Sequence, residues 1–269
     1  MTTQPVALTV AGTDPSGGAG IQADLKTFAA LGVYGFSAIT VVVAQNSSRV
    51  LSTVAMEPEM VSAQIGALMM QLRPHAMKTG ALGEPGIVVA VARAIEDFEL
   101  PAPVVDPVML SSSGARLLSE HGEVAMRRRL LPLAAVVTPN LPEAQALSGM
   151  EIDGIAAMRE AARLIHRLGP RAVVIKGGHL GPDQAAVDLL FDGRRYVEMA
   201  GERIAGGGAH GTGCAFSAAI AAHLARGEEL EDAVRKAKGF ITRAIRHAFQ
   251  LGEGRLLLDH LKAGGEEDR

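Results

Sequence analysis

Short β-branched runs alternate with longer amphipathic stretches along almost the whole chain, a pattern that restricts the fold to repeated strand-helix units around a mostly parallel sheet. Residues 6–10 open the series. Residues 37–44, 104–105, 134–138, 172–176 and 186–191 read as further strands, several of them apolar on both faces, as strands covered by helices on each side must be. Helical spacing fills 21–31, 58–72, 86–98, 124–131, 155–168, 215–226 and 230–249, with Gly32, Gly169 and Gly227 closing three of these stretches. With 269 residues and 48% hydrophobic content, one α/β domain over 1–262 is expected, followed by a frayed Gly-Gly and charged tail over 263–269.

Composition narrows the function classes. A formal charge of -3 with two tyrosines and seven phenylalanines offers neither the electrostatic footprint nor the stacking platforms of a nucleic-acid binder, so no nucleic-acid partner is expected. The single cysteine, Cys214, excludes an internal disulfide and a multi-cysteine zinc cage, and suits a reducing cytoplasm. No apolar run approaches the roughly 20 residues of a bilayer span, so a soluble cytoplasmic protein without a targeting segment or membrane partner is expected.

Polar residues gather just after the apolar runs: Asp14, Gln45, Lys78, Asp106, Asn140 and Lys176. In open α/β sheets the ligand crevice lies outside the carboxyl ends of the strands, so these six segments are expected to converge there. For any one of them alone, contact with solvent explains a polar strand end equally well.

Two glycine-rich segments carry more specific chemistry. Gly206 to Cys214 runs straight into a small-residue helix, so the amides of Gly211, Thr212, Gly213 and Cys214 would meet the positive end of a helix dipole and form an anion hole for a transferring phosphoryl group. Tight helix-sheet packing also demands small residues. Cys214 would sit in the first helical turn, where the dipole lowers a thiol pKa and fits it to act as a base; a lone cysteine is also often just a small buried hydrophobe. The second segment, Gly12 to Gly20, links the first strand to a helix, and Gly18-Ala-Gly20-Ile-Gln-Ala23 matches G-x-G-x-x-A. A polar insert after the strand and Gln45 in place of an acidic strand end both weigh against a nicotinamide-dependent oxidoreductase.

No G-x-x-x-x-G-K-[ST] occurs, so nucleotide would have to be held without a P-loop. Lys176, before Gly177-Gly178, places a cation beside a polyphosphate. Asn140-Leu-Pro-Glu143 reads as a capping box, and the same two side chains would face the crevice, where they can hold Mg2+ through its waters.

Six motifs then occur in order: Ala11 to Phe28, Ala44-Gln-Asn46, Asp106-Pro-Val-Met109, Thr138-Pro-Asn-Leu-Pro-Glu-Ala144, Lys176-Gly-Gly-His-Leu180 and His210-Gly-Thr-Gly-Cys214. Together they resemble the hydroxymethylpyrimidine/phosphomethylpyrimidine kinases of thiamine biosynthesis, within the ribokinase-like superfamily. The resemblance implies a three-layer α/β/α domain, a homodimer, and two successive ATP-dependent phosphorylations, of 4-amino-5-hydroxymethyl-2-methylpyrimidine and then of its monophosphate. By motif, Gly12, Asp24, Gln45 and Val108 would line the pyrimidine pocket. Asp106, Asn140 and Glu143 would lie near Mg2+ and the triphosphate, with Lys176 on phosphate and Gly211 to Cys214 at the transferring group.

The Gln45 amide suits this role, since it can accept from an exocyclic amine while donating to the adjacent ring nitrogen. Three departures from the family pattern stand out: Gly206-Gly-Gly208 where Lys-Asn-Thr is common, Ala81 where methionine is, and Ala115 where an acidic residue is. Sugar kinases of the superfamily often carry aspartate at the Cys214 position, so the thiol points to the vitamin-kinase branch. Pyridoxal or pyridoxine kinase is the leading alternative there, and a catalytically silent vitamin-binding protein is an alternative of a different class.

Overall fold

A computed structural model of the chain describes residues 4–111, 114–178, 186–202, 204 and 209–265. The chain opens with β1 (Val6–Ala11), α1 (Gly20–Ala30), β2 (Tyr34–Ile39), β3 (Val41–Gln45), β4 (Val50–Ala55) and α2 (Pro58–Met69). It continues through β5 (Ala76–Thr79), α3 (Pro85–Asp97), β6 (Val104–Val105), α4 (Glu120–Ala125) with further turns over 126–133, and β7 (Val136–Val137). Then come α5 (Leu141–Ser148), α6 (Ile155–His166), β8 (Val173–Ile175), β9 (Ala186–Phe191) and β10 (Tyr196–Gly201). The chain closes with α7 (Thr212–Ala225), α8 (Leu230–Arg246), β11 (Phe249–Gln250), β12 (Leu256–Leu257) and α9 (His260–Gly265).

The main sheet has eight strands in the order β10-β9-β8-β7-β6-β5-β1-β2, parallel from β2 to β8 and antiparallel at β9 and β10. Successive residues point to opposite faces, so each buried strand feeds two cores. Leu8, Met77, Val105, Val137 and Ile175 pack on one side with α2, α3, α5 and α6. Ala7, Ala76, Val104, Val136 and Val174 pack on the other with α7, α8 and α9. This is the expected three-layer α/β/α arrangement with a mostly parallel sheet.

Several elements differ from the sequence expectation, among them the helix expected over 124–131, where α4 starts at Glu120 and its α-helical part ends at Ala125. The single strand expected over 37–44 divides at Thr40, whose Oγ1 donates to the Ala81 carbonyl at 2.6 Å and whose N–H reaches the Ala11 carbonyl at 3.1 Å. Beyond that pin β3 leaves the main sheet and pairs antiparallel with β4, a strand with no expected counterpart. At the other end, residues 263–265 belong to α9 rather than to a tail: Ala263 and Gly264 are buried, and a Cβ on Gly264 would come within 2.2 Å of the Ala30 carbonyl. The last helix expected over 230–249 stops at Arg246, and Phe249 begins β11.

Candidate active site

The carboxyl ends of β1, β5, β6, β7 and β8 open into one cleft of about 1290 Å³. Gly12, Gln45, Lys78, Asp106, Val108, Asn140, Glu143, Lys176 and Gly211 to Cys214 all line it. Asp24 and Asp14, from the sequence candidates, do not.

At the heart of the cleft lies the start of α7. Gly211 precedes the helix with φ 83, a left-handed conformation, and a Cβ there would fall 1.7 Å from the Gly18 carbonyl, so only glycine fits. The first intrahelical bond runs from Ala215 N–H to the Gly211 carbonyl at 2.9 Å. The amides of Thr212, Gly213 and Cys214 therefore precede the helical ladder and form a cluster of donors at the positive end of the dipole. Thr212 Oγ1 donates back to the Ala209 carbonyl at 2.8 Å, which fixes the turn and leaves the backbone to face the cleft.

Lys176 supplies the cation. Its backbone N–H bonds the Pro139 carbonyl at 2.9 Å, setting it beside Asn140, and its Nζ donates to Asp106 Oδ1 at 3.1 Å. A Cβ on Gly213 would lie 3.2 Å from Lys176 Nζ and 3.7 Å from Asp106 Oδ2, so cation, carboxylate and helix start are in mutual contact. Burial pulls the Lys176 ammonium down, but Asp106 and Glu143 outweigh it and hold the pKa above its usual value. Ser217 Oγ, one turn into α7, donates to Asp106 Oδ2 at 3.3 Å.

Asn140 and Glu143 form the expected capping box: Glu143 N–H donates to Asn140 Oδ1 and Asn140 N–H to Glu143 Oε2, both at 2.9 Å. Glu143 is nonetheless a buried carboxyl, and burial first, then Asp106, push it up to about 7 against the pull of Lys176. Among the described residues no three His, Cys, Asp or Glu side chains cluster as a metal cage.

Cys214 corrects one expectation. Burial pushes its thiol up to about 11, against the pull of Lys78, whereas the helix dipole alone was expected to lower it. The sequence shows the helix start but not the walls around it, and here desolvation outweighs the dipole. The backbone N–H of Gly20 donates toward the sulfur.

Asp24 corrects another. Its carboxylate is wholly buried beneath the cleft, where Lys78 Nζ donates to both oxygens at 2.8 and 2.7 Å and Thr9 Oγ1 donates at 2.6 Å. The parallel register sets Thr9 beside Lys78, which explains the triad. Burial pushes the Asp24 carboxyl up while Lys78 pulls it down. The ammonium itself is held above its usual value by Asp24, Cys214 and Asp106 despite its burial, and the two short bonds keep the pair ionised. Asp24 thus anchors Lys78 in the cleft floor and, wholly buried, does not itself line the cleft.

Gln45, also lining the cleft, sits where the pairing of β3 with β4 shifts register, and its side-chain amide has no protein partner among the described residues. Gly12, Ala81 and Val108 share its wall, with Gly12 3.7 Å from Ala81 when given a Cβ. Ala81, one of the departures, is thus a pocket-wall residue, and Ala115 accepts at its carbonyl from Ser111 N–H at 2.7 Å, beside Ser111 and Arg116, which line the cleft. Gly206 to Gly208 lie outside the described residues. The G-x-G-x-x-A segment is covered by the turn 210–214, since Gly18 meets Gly211 backbone to backbone, leaving no open pyrophosphate seat at the start of α1.

Comparison with known proteins places this geometry in a family. Residues 14–259 match the family model described as phosphomethylpyrimidine kinase. The hydroxymethylpyrimidine/phosphomethylpyrimidine kinase of Synechococcus elongatus is 46% identical over 256 residues, covering 95% of this chain and 97% of that one. The thiamine biosynthesis bifunctional protein ThiED of Geobacter sulfurreducens is 44% identical over 256 residues; the match covers 95% of this chain but only 52% of that longer protein. Among solved structures, an ADP complex of Bacillus subtilis pyridoxal kinase superposes with a TM-score of 0.89 at 41% identity, covering 97% of this chain and 98% of that one.

Proposed function

This chain belongs to the phosphomethylpyrimidine kinase family, and on that premise we propose that it transfers the γ-phosphoryl group of ATP to the hydroxymethyl oxygen of 4-amino-5-hydroxymethyl-2-methylpyrimidine, and then a second phosphoryl group to the monophosphate so formed. The observation that carries this reading is the shared cleft: the open amides of Thr212 to Cys214, the Lys176 ammonium and the unpartnered amide of Gln45 all face one cavity.

Phosphoryl transfer asks little covalent chemistry of a protein and much positioning and charge stabilisation. The α7 amides would receive the charge on the transferring group's oxygens, with Lys176 beside them on the phosphates. Gln45 would read the aminopyrimidine edge, with Gly12, Ala81 and Val108 around the ring. Cys214, whose thiol burial holds above its usual pKa, would orient the hydroxymethyl group by hydrogen bonding, and as the O–P bond forms the hydroxyl proton would pass to an oxygen of the transferred phosphoryl group, since a loose transition state needs no resident thiolate.

Magnesium fits this site as a hydrated ion carried by the triphosphate. Glu143 is a single buried carboxyl at the wall, raised in the absence of a cation, while both Asp106 oxygens already accept from Lys176 and Ser217. When bound, the ion would draw charge off the phosphates. Glu143 would hold it through water, with Asp106 and Asn140 at the second remove. A cytoplasmic homodimer remains part of the proposal; among the described residues no helix is long and apolar enough to cross a membrane.

The likeness to a pyridoxal kinase supports a second reading, in which pyridoxal is the acceptor. Magnesium-dependent ADP release with the pyrimidine alcohol, its monophosphate and pyridoxal, measured in parallel, separates the two. Release with both pyrimidines is expected. Release with pyridoxal alone would move the chain to the second reading, and no release with any acceptor would leave a silent vitamin-binding protein.

A further inference from the structure

One buried pair adjoins the site without lining it on both sides. Asp14, fully buried in the loop after β1, accepts from His210 Nε2 at 2.9 Å, in the turn that precedes α7. The same carboxylate accepts from Ser16 N–H at 2.9 Å, from Ser16 Oγ at 2.8 Å and from Ala19 N–H at 2.7 Å. Burial alone would raise its pKa, but the hydrogen bonds from His210 and Ser16 outweigh it and hold the carboxyl well below the usual range. A carboxylate only accepts, so Nε2 carries the proton.

The contacts around this pair tie three segments together. The His210 ring packs on Gly18, where a Cβ would fall 2.7 Å from its Cδ2, and His210 N–H bonds the Leu256 carbonyl at 2.8 Å. Thr13, next to Asp14, bonds β3 twice: its N–H to the Val41 carbonyl at 2.9 Å and its Oγ1 from Val43 N–H at 3.0 Å. Gly20, at the loop's far end, reaches the Cys214 sulfur through its N–H. A single loop therefore touches the strand that bears Gln45 and the turn that bears the phosphoryl-binding amides.

We infer that Asp14 and His210 are positioning residues that fix the Gly211 to Cys214 turn against the loop 12–20, and so set the distance between the acceptor and the transferring phosphoryl group. This rests on the kinase reading, but only for its kinetic consequence. A misplacement of about 1 Å at a reacting centre is worth roughly 100-fold in rate, so His210→Ala should lower kcat by about that factor. The KM for the pyrimidine should stay within about threefold, because Gln45 and its wall are unchanged.

Cys214 is the only cysteine and sits in the turn itself, so its alkylation reports the turn, provided that His210→Ala keeps the parent's unfolding midpoint, which a loss of overall stability would not. Its alkylation by a small maleimide needs no substrate, so it decides this inference even where the parent releases no ADP with the pyrimidine. Freeing the turn opens further to water a half-buried sulfur whose acidity desolvation now lowers, and a gain of one unit in acidity is about tenfold in thiolate. The expected result is Cys214 alkylated about tenfold faster in His210→Ala, with His210→Gln, whose amide can still donate to Asp14, restoring both alkylation rate and kcat most of the way. Unchanged alkylation and kcat in His210→Ala, or a His210→Gln variant as impaired as His210→Ala, would overturn it. If His210→Ala does not fold, Asp14→Asn, which keeps an acceptor for the loop amides but loses the charge facing His210, is held to the same two outcomes.

Discussion

At the phosphate end of the cleft the contributing side chains hang from the eight-stranded sheet, from the start of α5 or from α7, a helix buried from Ala215 to His223, whereas Gln45 sits on a two-stranded sheet whose strand β4 is almost wholly exposed. Val42, Leu51 and Val54 on that hairpin are 45%, 64% and 60% exposed. The amides, Lys176 and Asp106 are cross-braced within the core, while the recognition amide stands on an appendage pinned by Thr40 and Thr13. On the proposed assignment, phosphate chemistry, common to every acceptor, would be built into the part of the fold that cannot shift without loss of the core. Acceptor choice is assigned to a part whose side chains can change at little cost in stability.

The strongest way to break this contrast is at the floor of the core. Lys78→Met leaves the Asp24 carboxylate buried without its cation, and should destabilise the protein by about 3–5 kcal/mol in denaturant unfolding. Lys176→Met comes next. It should cost less stability than Lys78→Met, because Ser217 still donates to Asp106, but lower kcat by about 100- to 1000-fold for every acceptor, as loss of a charge-stabilising donor does.

Glu143 gives a pH test of the same end. Its folded pKa, pushed up to about 7 from 4.5, means that the folded protein keeps a proton that the unfolded chain releases between those values. Stability should therefore fall as pH rises from about 4.5 to 7 and level off above, and Glu143→Gln should remove that fall, worth at most roughly 3 kcal/mol. Melting temperatures without nucleotide, taken across this range, check it; a parent and variant with parallel profiles would show Glu143 to be ionised throughout.

At the recognition end effects should be smaller and selective. Gln45→Ala should raise the KM for the pyrimidine alcohol by about 10- to 100-fold, the worth of one or two hydrogen bonds to the ring, with little change in stability. Smallest of all is Cys214→Ala. With the thiol already neutral, turnover should drop no more than about tenfold; a loss like that of Lys176→Met would restore the thiol as an essential base.

Much of this division is written in the local sequence. Two-faced apolar runs such as 104–105 and 172–176 announce a buried parallel sheet, and the glycine run into small residues announces the turn and the start of α7. Asn140 and Glu143 carry their capping box in their spacing. What the sequence hides is tertiary. The run 37–44 has no turn residue, and it is long-range bonds, from Thr40 to Ala81 and Ala11 and from Thr13 to Val41 and Val43, that divert it into β3. Residues 50–55 make β4 without a buried face, so no core periodicity marks them. Lys78 looks like any lysine near a strand end until the register brings Thr9 and Asp24 around it. The helix dipole at Cys214 is legible, but the burial that overrides it comes from segments far apart in the chain.

The most direct measurement is the ratio of kcat/KM for the pyrimidine alcohol to that for pyridoxal, in the parent, Lys176→Met and Gln45→Ala. If shared phosphate chemistry and acceptor choice reside at opposite ends of the cleft, Lys176→Met lowers both constants and preserves the ratio, while Gln45→Ala collapses the ratio through KM. A Lys176→Met variant that changes the ratio, or a Gln45→Ala variant that lowers both constants equally, contradicts that assignment.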